Sequence, residues 1–584
     1  MRSWNPVKPS ERSSSTTPPG PAADIPAGQE QQMKPTPAQR STPQPGGPAT
    51  VSALAPLGIP IFRALWIAAL ISNIGSWMQT VGAQWFMVEH HAPPLLIALV
   101  QTATAAPVLL LGIPAGVLGE FLNRRILLMW VQGFQVAISG TLVALTALGE
   151  MTPYLLLSLT LLLGAASAVQ LPAYGALANE IVPRAYVPNA ASLSSISVNL
   201  ARAIGPAIAG LLISGLGVAF VFALNVLSFA VFLIILVFWR QYRPEPHLSE
   251  PFLDASRAGM RYVANARVVR RIYVRLGLFV LPGSALYALL PLIATGRLRL
   301  GSIGYGVLLA GLGVGSIAAA FYIPKFRDAV GPNRAVLISS ALFGTGTVGV
   351  ALSPTIYLTI PILAVVGAAW IGAIATLNGA VQSFLPAWVR TRGLSIYQMV
   401  LFGATAVGAA LSGSIAGWLG AVLTCLIAGI AVLIVAITQL LWPLLVTDDM
   451  RRSAVNLPLA DDVVNAEIGD TTETLVSVRF DVADADRDRF LAQMALVELS
   501  RRRTGARSWA LYDDREHPGI LVEAFRVGSW QEHLNQHAER LTEYDDDVIR
   551  TACDIAESFE VTHLLRTQTP RPVRPPRSGQ TARL

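Results

Sequence analysis

The sequence predicts an all-α polytopic membrane protein, with twelve transmembrane helices in two bundles of six, followed by a ferredoxin-like α+β domain. Three observations predict this fold class. First, 53% of the 584 residues are hydrophobic and only 14% are charged, a composition too apolar for a soluble chain of this size. Second, apolar stretches long enough to cross a bilayer as helices recur from Ala64 onward. Third, past Thr447 the chain becomes charged and soluble in character.

A basic connector divides the apolar part into halves of similar length. Eight arginines lie between Arg240 and Arg275, and arginines beside membrane spans remain on the cytoplasmic side. An amphipathic helix on the anionic inner leaflet would use them in the same way. The predicted spans are 64–87, 94–118, 126–148, 153–178, 187–213 and 218–239 in the first half, and 272–295, 303–323, 334–352, 355–384, 394–417 and 419–445 in the second.

Composition also predicts how the rest of the chain is organised. The N-terminal stretch is rich in Pro, Ser, Thr, Gln and Gly, and such sequence cannot bury enough surface to offset chain entropy. The predicted segments are a disordered tail (1–56), the first six-helix bundle (57–239), a cytoplasmic connector (240–271), the second bundle (272–446), a linker (447–471), the α+β domain (472–566) and a disordered tail (567–584).

The short loops support an even number of spans with both termini in the cytoplasm. With the amino end inside, the inner loops carry Arg124, Arg125, Arg184 and the connector, whereas the outer loops near 90, 150, 215, 354 and 418 have no Lys or Arg. Arg297 and Arg299 are the exception. This positive-inside asymmetry accounts for the formal net charge of +7. The expected surroundings are therefore a lipid bilayer, and no nucleic-acid partner is predicted.

The two halves also resemble each other. GALANEIVPRAYVPNAASL, from Gly175, and GAVQSFLPAWVRTRGLSIY, from Gly379, each end the fourth span of a half and open the fifth. Repetition of six spans around a central connector is typical of transporters built from two homologous bundles.

Three motifs carry a resemblance to a known family. The stretch GVLGEFLNRR, Gly116 to Arg125, resembles the inner-loop signature G-x-x-x-D-R-x-G-R-R of the major facilitator superfamily. Glu120 occupies the position where the signature has Asp, and two further positions differ from the signature. NLARAIGPAIAG, from Asn199, is similar to the Gly-Pro motif in the fifth span of antiporter members. Together with ISNIGSWMQTVGAQWFMVE in span one, these motifs favour the enterobactin-exporter-like branch, the transmembrane secretion effectors. The resemblance covers about 62–445.

This resemblance implies a secondary active transporter that exports a small molecule, such as a siderophore, drug or metabolite, across the bacterial inner (plasma) membrane by alternating access. It also implies coupling to protons, although no Asp or Glu lies in the middle of a predicted span. A non-transporting membrane sensor is the alternative. The sequence has no nucleotide-binding loop, which argues against a primary pump.

Polar residues at helical spacing in span one are candidate substrate contacts. Asn73, Trp77, Thr80 and Gln84 recur on one face. In a bilayer such a stripe must face protein or a wet cavity, so interhelical hydrogen bonding is the alternative. The resemblance arranges spans one, four, seven and ten around the cavity, which favours a wall that faces the substrate. The same reasoning adds Gln101, Gln170, Tyr287, Asn378 and Gln382.

Arg202 is the only charge deep in a predicted span. Charges there are expensive, so we expect its side chain to face the bundle interior or a water-filled path. It would contact anionic substrate groups or take part in coupling; the alternative is a structural arginine held by carbonyls near Gly205 and Pro206. Those two residues are also a candidate gate hinge, although small residues in spans often serve packing alone.

The resemblance assigns a second gate to the loop between spans two and three. Glu120 would form a charge clamp with Arg124 and Arg125 at the inner side, in the loop that begins near Gly116. A plain positive-inside loop would explain the two arginines but not the acid at that position.

The C-terminal sequence reads as βαββαβ, the order of a ferredoxin-like unit. Strands are predicted at 474–482, 506–514, 520–528 and 559–565. The stretch resembles the small domain of cofactor-free antibiotic-biosynthesis monooxygenases, so no cofactor is expected. Such a unit leaves one sheet face to cover, which favours a homodimer. We expect a regulatory or ligand-binding domain, and a fused monooxygenase is the alternative.

Aromatic residues and histidines could line a pocket in this domain. His533 and His537 lie four residues apart on one helical face, but no further metal ligand is spaced convincingly around them. We therefore predict no metal site and a packed or dimer-face pair. Trp509, Tyr512 and Trp530 are equally ordinary core or dimer-face residues.

Overall fold

The computed structural model describes residues 54–239, 252–444 and 473–567, together with Ser52 and Val455. Within these ranges the side chains of 113–121, 252–258 and 387 are outside the description. Almost all of the predicted N-terminal tail, residues 240–251 of the connector, nearly all of the linker and residues 568–584 therefore lie outside the described residues.

The first half contains five apolar helices that supply six spans. Their bounds are α1 (Pro60–Glu89), α2 (Pro94–Phe121), α3 (Arg124–Ala147), α4 (Pro153–Ile181) and α5 (Val187–Phe238). Helix α5 contains two spans, and the boundary between them is Gly217, whose φ of 79° interrupts the helical geometry. Glycine adopts this backbone conformation at little cost. The side chain of Asn123 caps α3 by accepting from the backbone N–H groups of Arg125 and Ile126.

The second half repeats this arrangement after an amphipathic connector helix. The connector is α6 (Phe252–Asn265), and the spans are α7 (Arg267–Leu292), α8 (Ser302–Val330), α9 (Pro332–Leu352), α10 (Ile356–Phe384), α11 (Ala387–Leu419) and α12 (Ala421–Leu441). Eleven described helices are long and apolar enough to cross a membrane. Since α5 holds two spans, they supply the twelve that the sequence predicts.

The bundle has two distinguishable ends. The connector end carries α6 and the start and finish of each half; the distal end carries the loops after α1, α3, α7, α9 and α11 and the break at Gly217. The two halves meet where α5 packs on α8 and α2 packs on α11. Glycines bring the first pair together: a Cβ on Gly210 would lie 2.6 Å from the carbonyl oxygen of Ser302. In the second pair, the Thr102 hydroxyl donates to the carbonyl of Ala406 over 2.9 Å.

The C-terminal domain is a four-stranded antiparallel sheet with helices on one face. Its elements are β1 (Thr474–Asp481), α13 (Arg487–Thr504), β2 (Ser508–Asp513), β3 (Ile520–Val527), α14 (Trp530–Asn535), α15 (Glu543–Ile555) and β4 (Ser558–Leu565). The strand order β2-β3-β1-β4 and the βαββαβ sequence confirm the predicted ferredoxin-like class. Val476, Val478 and Phe480 alternate along β1 into the core, as a half-buried strand requires.

The domain sits against the connector end of the second half. Arg261 of α6 forms a 2.8 Å ion pair with Glu532, which is also 3.2 Å from Arg540. The Arg540 guanidinium in turn lies 5.0 Å from the ring centroid of Trp388, near the start of α11. Tyr262 meets the same indole edge-on at 5.7 Å. These contacts join α6, α11 and the C-terminal domain into one cluster.

Candidate functional site

Arg202 lies at the middle of the first span of α5 and faces the interface between the halves. Its guanidinium carbon is 5.5 Å from the ring centroid of Trp77 on α1. Its Nε and Nη1 atoms are buried and, among the described residues, have no hydrogen-bond partner. The alternative of a structural arginine held by carbonyls near Gly205 and Pro206 therefore finds no support in the described contacts.

Aromatic side chains of the second half face this arginine. The Tyr287 hydroxyl of α7 is within electrostatic reach of the Arg202 guanidinium, and it too is buried without a partner among the described residues. The ring of Tyr287 packs against Trp370 of α10 at 5.3 Å. Phe279 and Phe343 lie 5.4 Å and 5.3 Å from the same indole. The phenol of Tyr287 and this aromatic cluster thus belong to the second half, whereas Arg202 belongs to the first.

The polar stripe of α1 divides between packing and closure. Asn73 donates to the Ser197 hydroxyl over 3.3 Å, and Thr80 donates to the carbonyl of Ser76 over 3.0 Å. Trp77 lies beside Arg202, as described above. The stripe thus supplies a site residue, Trp77, and one interhelical hydrogen bond, between Asn73 and Ser197.

Gln84, the last member of the stripe, belongs to a closure at the distal end. It accepts a 2.6 Å hydrogen bond from the buried Tyr305 hydroxyl of α8 and donates to the carbonyl of Tyr287 over 3.4 Å. The ring of Trp85 stacks on that of Tyr305 at 6.2 Å. These contacts cross from one half to the other and seal the distal end above Arg202.

Four further predicted pathway residues are not linked to Arg202 by the described contacts. Gln382 donates to the Asn378 side chain one turn away on α10. The backbone carbonyl of Gln101 accepts from the Thr104 hydroxyl, and Gln170 is half-buried on α4.

The two arginines of the predicted gate at the connector end have described partners within the first half. Arg124 forms an ion pair with Glu180, at the end of α4. Arg125 donates to the carbonyls of Leu236 and Val237, at 2.8 Å and 3.0 Å. Both arginines therefore bind within their own half. The side chains of Gly116 and Glu120 lie outside the described residues, so the predicted clamp is not visible here.

Gly205 and Pro206 lie within α5 where it packs on other helices. A Cβ on Gly205 would lie 2.8 Å from the Cβ of Trp77, and one on Gly306 would lie 2.7 Å from the carbonyl oxygen of Pro206. The helix continues through both residues, and the non-helical φ within α5 falls at Gly217 instead. Close packing therefore accounts for Gly205 in this conformation.

Sequence reasoning missed Glu180 as an ion-pair partner, and it missed Tyr305 and Trp370 altogether. Glu180 carried a weak signal, because it is an acid at a span end beside a basic loop. Tyr305 and Trp370 read as ordinary aromatic residues in apolar stretches, so only their packing partners reveal them.

In the C-terminal domain, His533 and His537 meet a third histidine. Their ring centroids lie 4.8 Å apart, and His563 of β4 lies 5.0 Å from His533. Burial lowers the pKa of His533 to about 2 and also lowers the pKa of His563. Across the part of the chain that the structure describes, no group of three or more His, Cys, Asp or Glu residues is placed to hold a metal ion.

Two six-helix bundles that enclose a polar and aromatic site define a membrane transporter of the major facilitator type. Solved structures share this fold. The nucleoside transporter NupG aligns over 66% of this chain and 99% of its own, with a TM-score of 0.54 and 13% identity. The POT family transporter PepTSo aligns over 66% of this chain and 97% of its own, with a TM-score of 0.55 and 12% identity.

The chain belongs to the transmembrane secretion effector family, whose model matches residues 51–569. Among curated proteins, it is 27% identical to the enterobactin exporter EntS of Escherichia coli over 65% of this chain and 91% of that protein. It is 26% identical to the multidrug efflux pump Tap of Mycobacterium tuberculosis over 61% of this chain and 86% of that protein. It is 24% identical to the staphyloferrin A transporter of Staphylococcus aureus over 47% of this chain and 70% of that protein.

Proposed function

We propose that this protein exports a small molecule, such as a siderophore, drug or metabolite, across the bacterial inner membrane, and that it does so as a proton-coupled secondary transporter. The names of its relatives support the direction and the substrate range, since they include two siderophore transporters and a multidrug efflux pump. The expected mechanism is alternating access, in which the two halves rock about a site between them.

One observation carries this proposal: among the described residues, the hydrogen bonds that join the two halves lie in the distal part of the bundle, at Gln84, Tyr305 and Thr102. Gln84 and Tyr305 join them there, and Gly210 lies against Gly306 just beneath. At the connector end, the polar contacts of the described residues join helices of one half, as in the pair Arg124 and Glu180. Asymmetric closure of two packed bodies is what one state of a rocking transporter requires.

We infer that the connector end is cytoplasmic and that the distal end faces outward. The arginines of α6 and α7 support this orientation by the positive-inside rule. Arg297 is a cation at the distal end, and its guanidinium donates to the carbonyls of Ser353 and Leu352 at 3.0 Å and 2.7 Å. Both chain termini are then cytoplasmic, and the conformation described here is open to the cytoplasm.

Glu89 is our candidate for the coupling carboxylate. It ends α1 at the distal side, accepts a 2.7 Å hydrogen bond from the indole of Trp85, and lines a cavity of about 260 Å³ with His90. Trp85 also stacks on Tyr305, so the carboxylate is one contact away from the distal closure.

For the C-terminal domain we propose regulation through docking, with dimerisation and without catalysis. Glu532 ties the domain to Arg261 of the connector helix, an element that must adjust when the halves move. The sheet face opposite the helices is open, with Tyr512 58% and Leu564 48% exposed. That face supports pairing with a second copy of the domain.

Reversible locking of the distal end tests the proposed mechanism. Untargeted metabolite profiling of the medium, with and without the protein, first identifies an exported compound. Gln84→Cys and Tyr305→Cys are then combined in a Cys425→Ala, Cys553→Ala background. Oxidation should stop export of that compound and dithiothreitol should restore it, because a locked distal end prevents alternation.

The matched control for locking joins two helices of one half. Gln79→Cys with Asn225→Cys replaces a 3.1 Å side-chain hydrogen bond between α1 and α5. Oxidation of this pair should leave export unchanged. Continued export through an oxidised pair at 84 and 305 would contradict alternating access about this closure.

A further inference from the structure

We propose that Arg202, with Trp77 and Tyr287, forms a binding site for the carboxylate of an organic anion that has an apolar or aromatic body. This inference deepens the proposed function by naming the chemical class of the substrate. It starts from a charge that has no protein counterion in the described contacts, at the centre of the membrane-spanning part.

A charge in this position is costly. An unpaired cation in a low-dielectric interior is unfavourable, and proteins keep one only where it has partners or serves a purpose. The buried Nε and Nη1 atoms of Arg202 have no hydrogen-bond partner among the described residues, and its guanidinium carbon lies 5.5 Å from the ring centroid of Trp77. A bound anion would supply the missing charge and the missing acceptors.

The geometry of the arginine side chain also suits a carboxylate. A guanidinium presents its N–H groups in a planar fork that matches the two oxygens of a carboxylate. The unpartnered phenol of Tyr287 is a third donor within electrostatic reach. Trp77 lies beside the guanidinium, and Trp370 packs against the ring of Tyr287. These features together recognise a carboxylate that is attached to an apolar or aromatic body.

The site is also linked to the distal closure. Arg202 and Trp77 belong to the first half, whereas Tyr287 belongs to the second. The backbone carbonyl of Tyr287 accepts from Gln84, which also holds Tyr305. An anion held by Arg202 and Tyr287 would therefore bridge the halves directly beneath the closure. A ligand shifts a conformational equilibrium only through such state-dependent contacts.

The test compares three naphthyl probes of similar shape on the purified full-length protein. The probes are 1-naphthoate, its neutral amide 1-naphthamide, and the cation 1-naphthylmethylammonium, with binding measured by equilibrium dialysis. The wild type should bind naphthoate at least tenfold more tightly than the other two. Equal affinity for naphthoate and naphthamide would overturn the proposal.

Variants assign the effect to the site. Arg202→Gln should weaken naphthoate binding about tenfold or more and leave naphthamide binding unchanged. Arg202→Lys should bind naphthoate with an affinity between those of the wild type and Arg202→Gln, because it keeps the charge and loses the planar fork of N–H groups. Tyr287→Phe should weaken naphthoate binding a few-fold. The control is Arg299→Gln, an exposed arginine in a distal loop, which should bind as the wild type does. Undiminished naphthoate binding by Arg202→Gln would overturn the proposal.

Thermal stability gives a readout that needs no transport. Naphthoate should raise the melting temperature of the wild type and leave that of Arg202→Gln unchanged, while the unliganded variant should be at least as stable as the wild type. A large decrease in the melting temperature of unliganded Arg202→Gln would show that Arg202 has a structural role and would overturn the proposed anion site.

Failure of this inference is distinguishable from failure of the proposed function. If the protein exports its metabolite and Arg202→Gln exports it at the wild-type rate, the anion site is wrong and the transporter stands. If naphthoate binds through Arg202 and no compound is exported, the site stands and the exporter is wrong.

Discussion

Two arginines of the membrane-spanning helices differ in which groups accept hydrogen bonds from their guanidinium N–H groups. Arg275 of α7 is 2% exposed and lies over the end of α12, where it donates to the carbonyls of Thr438 and Trp442 and lies 5.7 Å from the Trp442 ring. It therefore serves as a cap for the last turn of a helix. Arg202 has an indole face and no acceptor among the described residues.

Hydrogen-bond acceptors within the protein distinguish a structural charge from a functional one in this fold. A cation that is bonded to the backbone of its own half contributes to stability and is unavailable to a ligand. A cation without acceptors contributes nothing comparable to stability, and it leaves its donors for a molecule that passes through. Four predictions extend this comparison to other buried groups, according to where the partner of each one lies.

The largest effect is expected at Arg275. Arg275→Met should destabilise the protein by about 3 kcal/mol, because it strips the α12 carbonyls of a charged donor. Melting temperature in detergent is the measurement, and Arg202→Gln is the contrasting variant that should keep it. Arg271→Gln is a milder control, since Arg271 is more exposed and donates to the carbonyl of Pro443 over 2.7 Å. Equal losses in the 275 and 202 variants would erase the distinction between the two arginines.

The second effect concerns His533, a base that is buried in its neutral form. Its pKa is lowered by burial to about 2, whereas an unfolded imidazole binds a proton below about pH 6.5. The C-terminal domain should therefore be fully stable above pH 6.5 and lose about 2 kcal/mol by pH 5 through this residue alone. Hydrogen exchange of α14 and β4 in the full chain, corrected for the intrinsic rate, measures the loss.

Matched variants identify the titrating group. His533→Phe keeps a ring that cannot bind a proton, so it should remove the part of the pH dependence that belongs to residue 533 and leave that of His563. His517→Gln removes an exposed histidine and should leave the dependence as in the wild type. The same slope in all three proteins would assign the effect elsewhere.

The third effect concerns a partner in the other half. Tyr305→Phe removes the hydroxyl that donates to Gln84 and leaves a buried acceptor unmet, at a cost of about 1–2 kcal/mol to the distally closed state. Labelling of a cysteine placed at Thr80 should then increase for reagents added from the distal side. Tyr322→Phe alters an exposed tyrosine of the same helix and should not change labelling. Unaltered labelling in Tyr305→Phe would deny this bond a part in closure.

The smallest effect concerns a partner in another domain. Glu532→Gln weakens the pair with Arg261 and should loosen docking of the C-terminal domain by about 1 kcal/mol, because both groups are partly exposed. Faster hydrogen exchange in α6 would report it. Glu539→Gln, at an exposed site in the segment after α14, is the control. Identical exchange in α6 for Glu532→Gln and the wild type would remove this ion pair from the docking contacts.

Much of the fold was predictable, because hydropathy and periodicity are local properties. Twelve spans, the amphipathic connector and the βαββαβ order all follow from patterns within about 20 residues. The boundary between the fifth and sixth predicted spans, at residues 214–217, includes the non-helical Gly217 of α5. In the site, Arg202 stood out because a charge amid apolar sequence is conspicuous, and Trp77 followed from its helical spacing.

What remained hidden depends on pairs of residues far apart in the chain. Sequence alone determined that Arg202 needed a reason to be buried, since the cost of a charge in a bilayer is the same in any fold. Only the tertiary structure decided that its neighbours are Trp77 and Tyr287, that Gln84 meets Tyr305, and that Arg275 is satisfied by α12. Hydrogen bonds act over about 3 Å, and packing decides which side chains come within that distance.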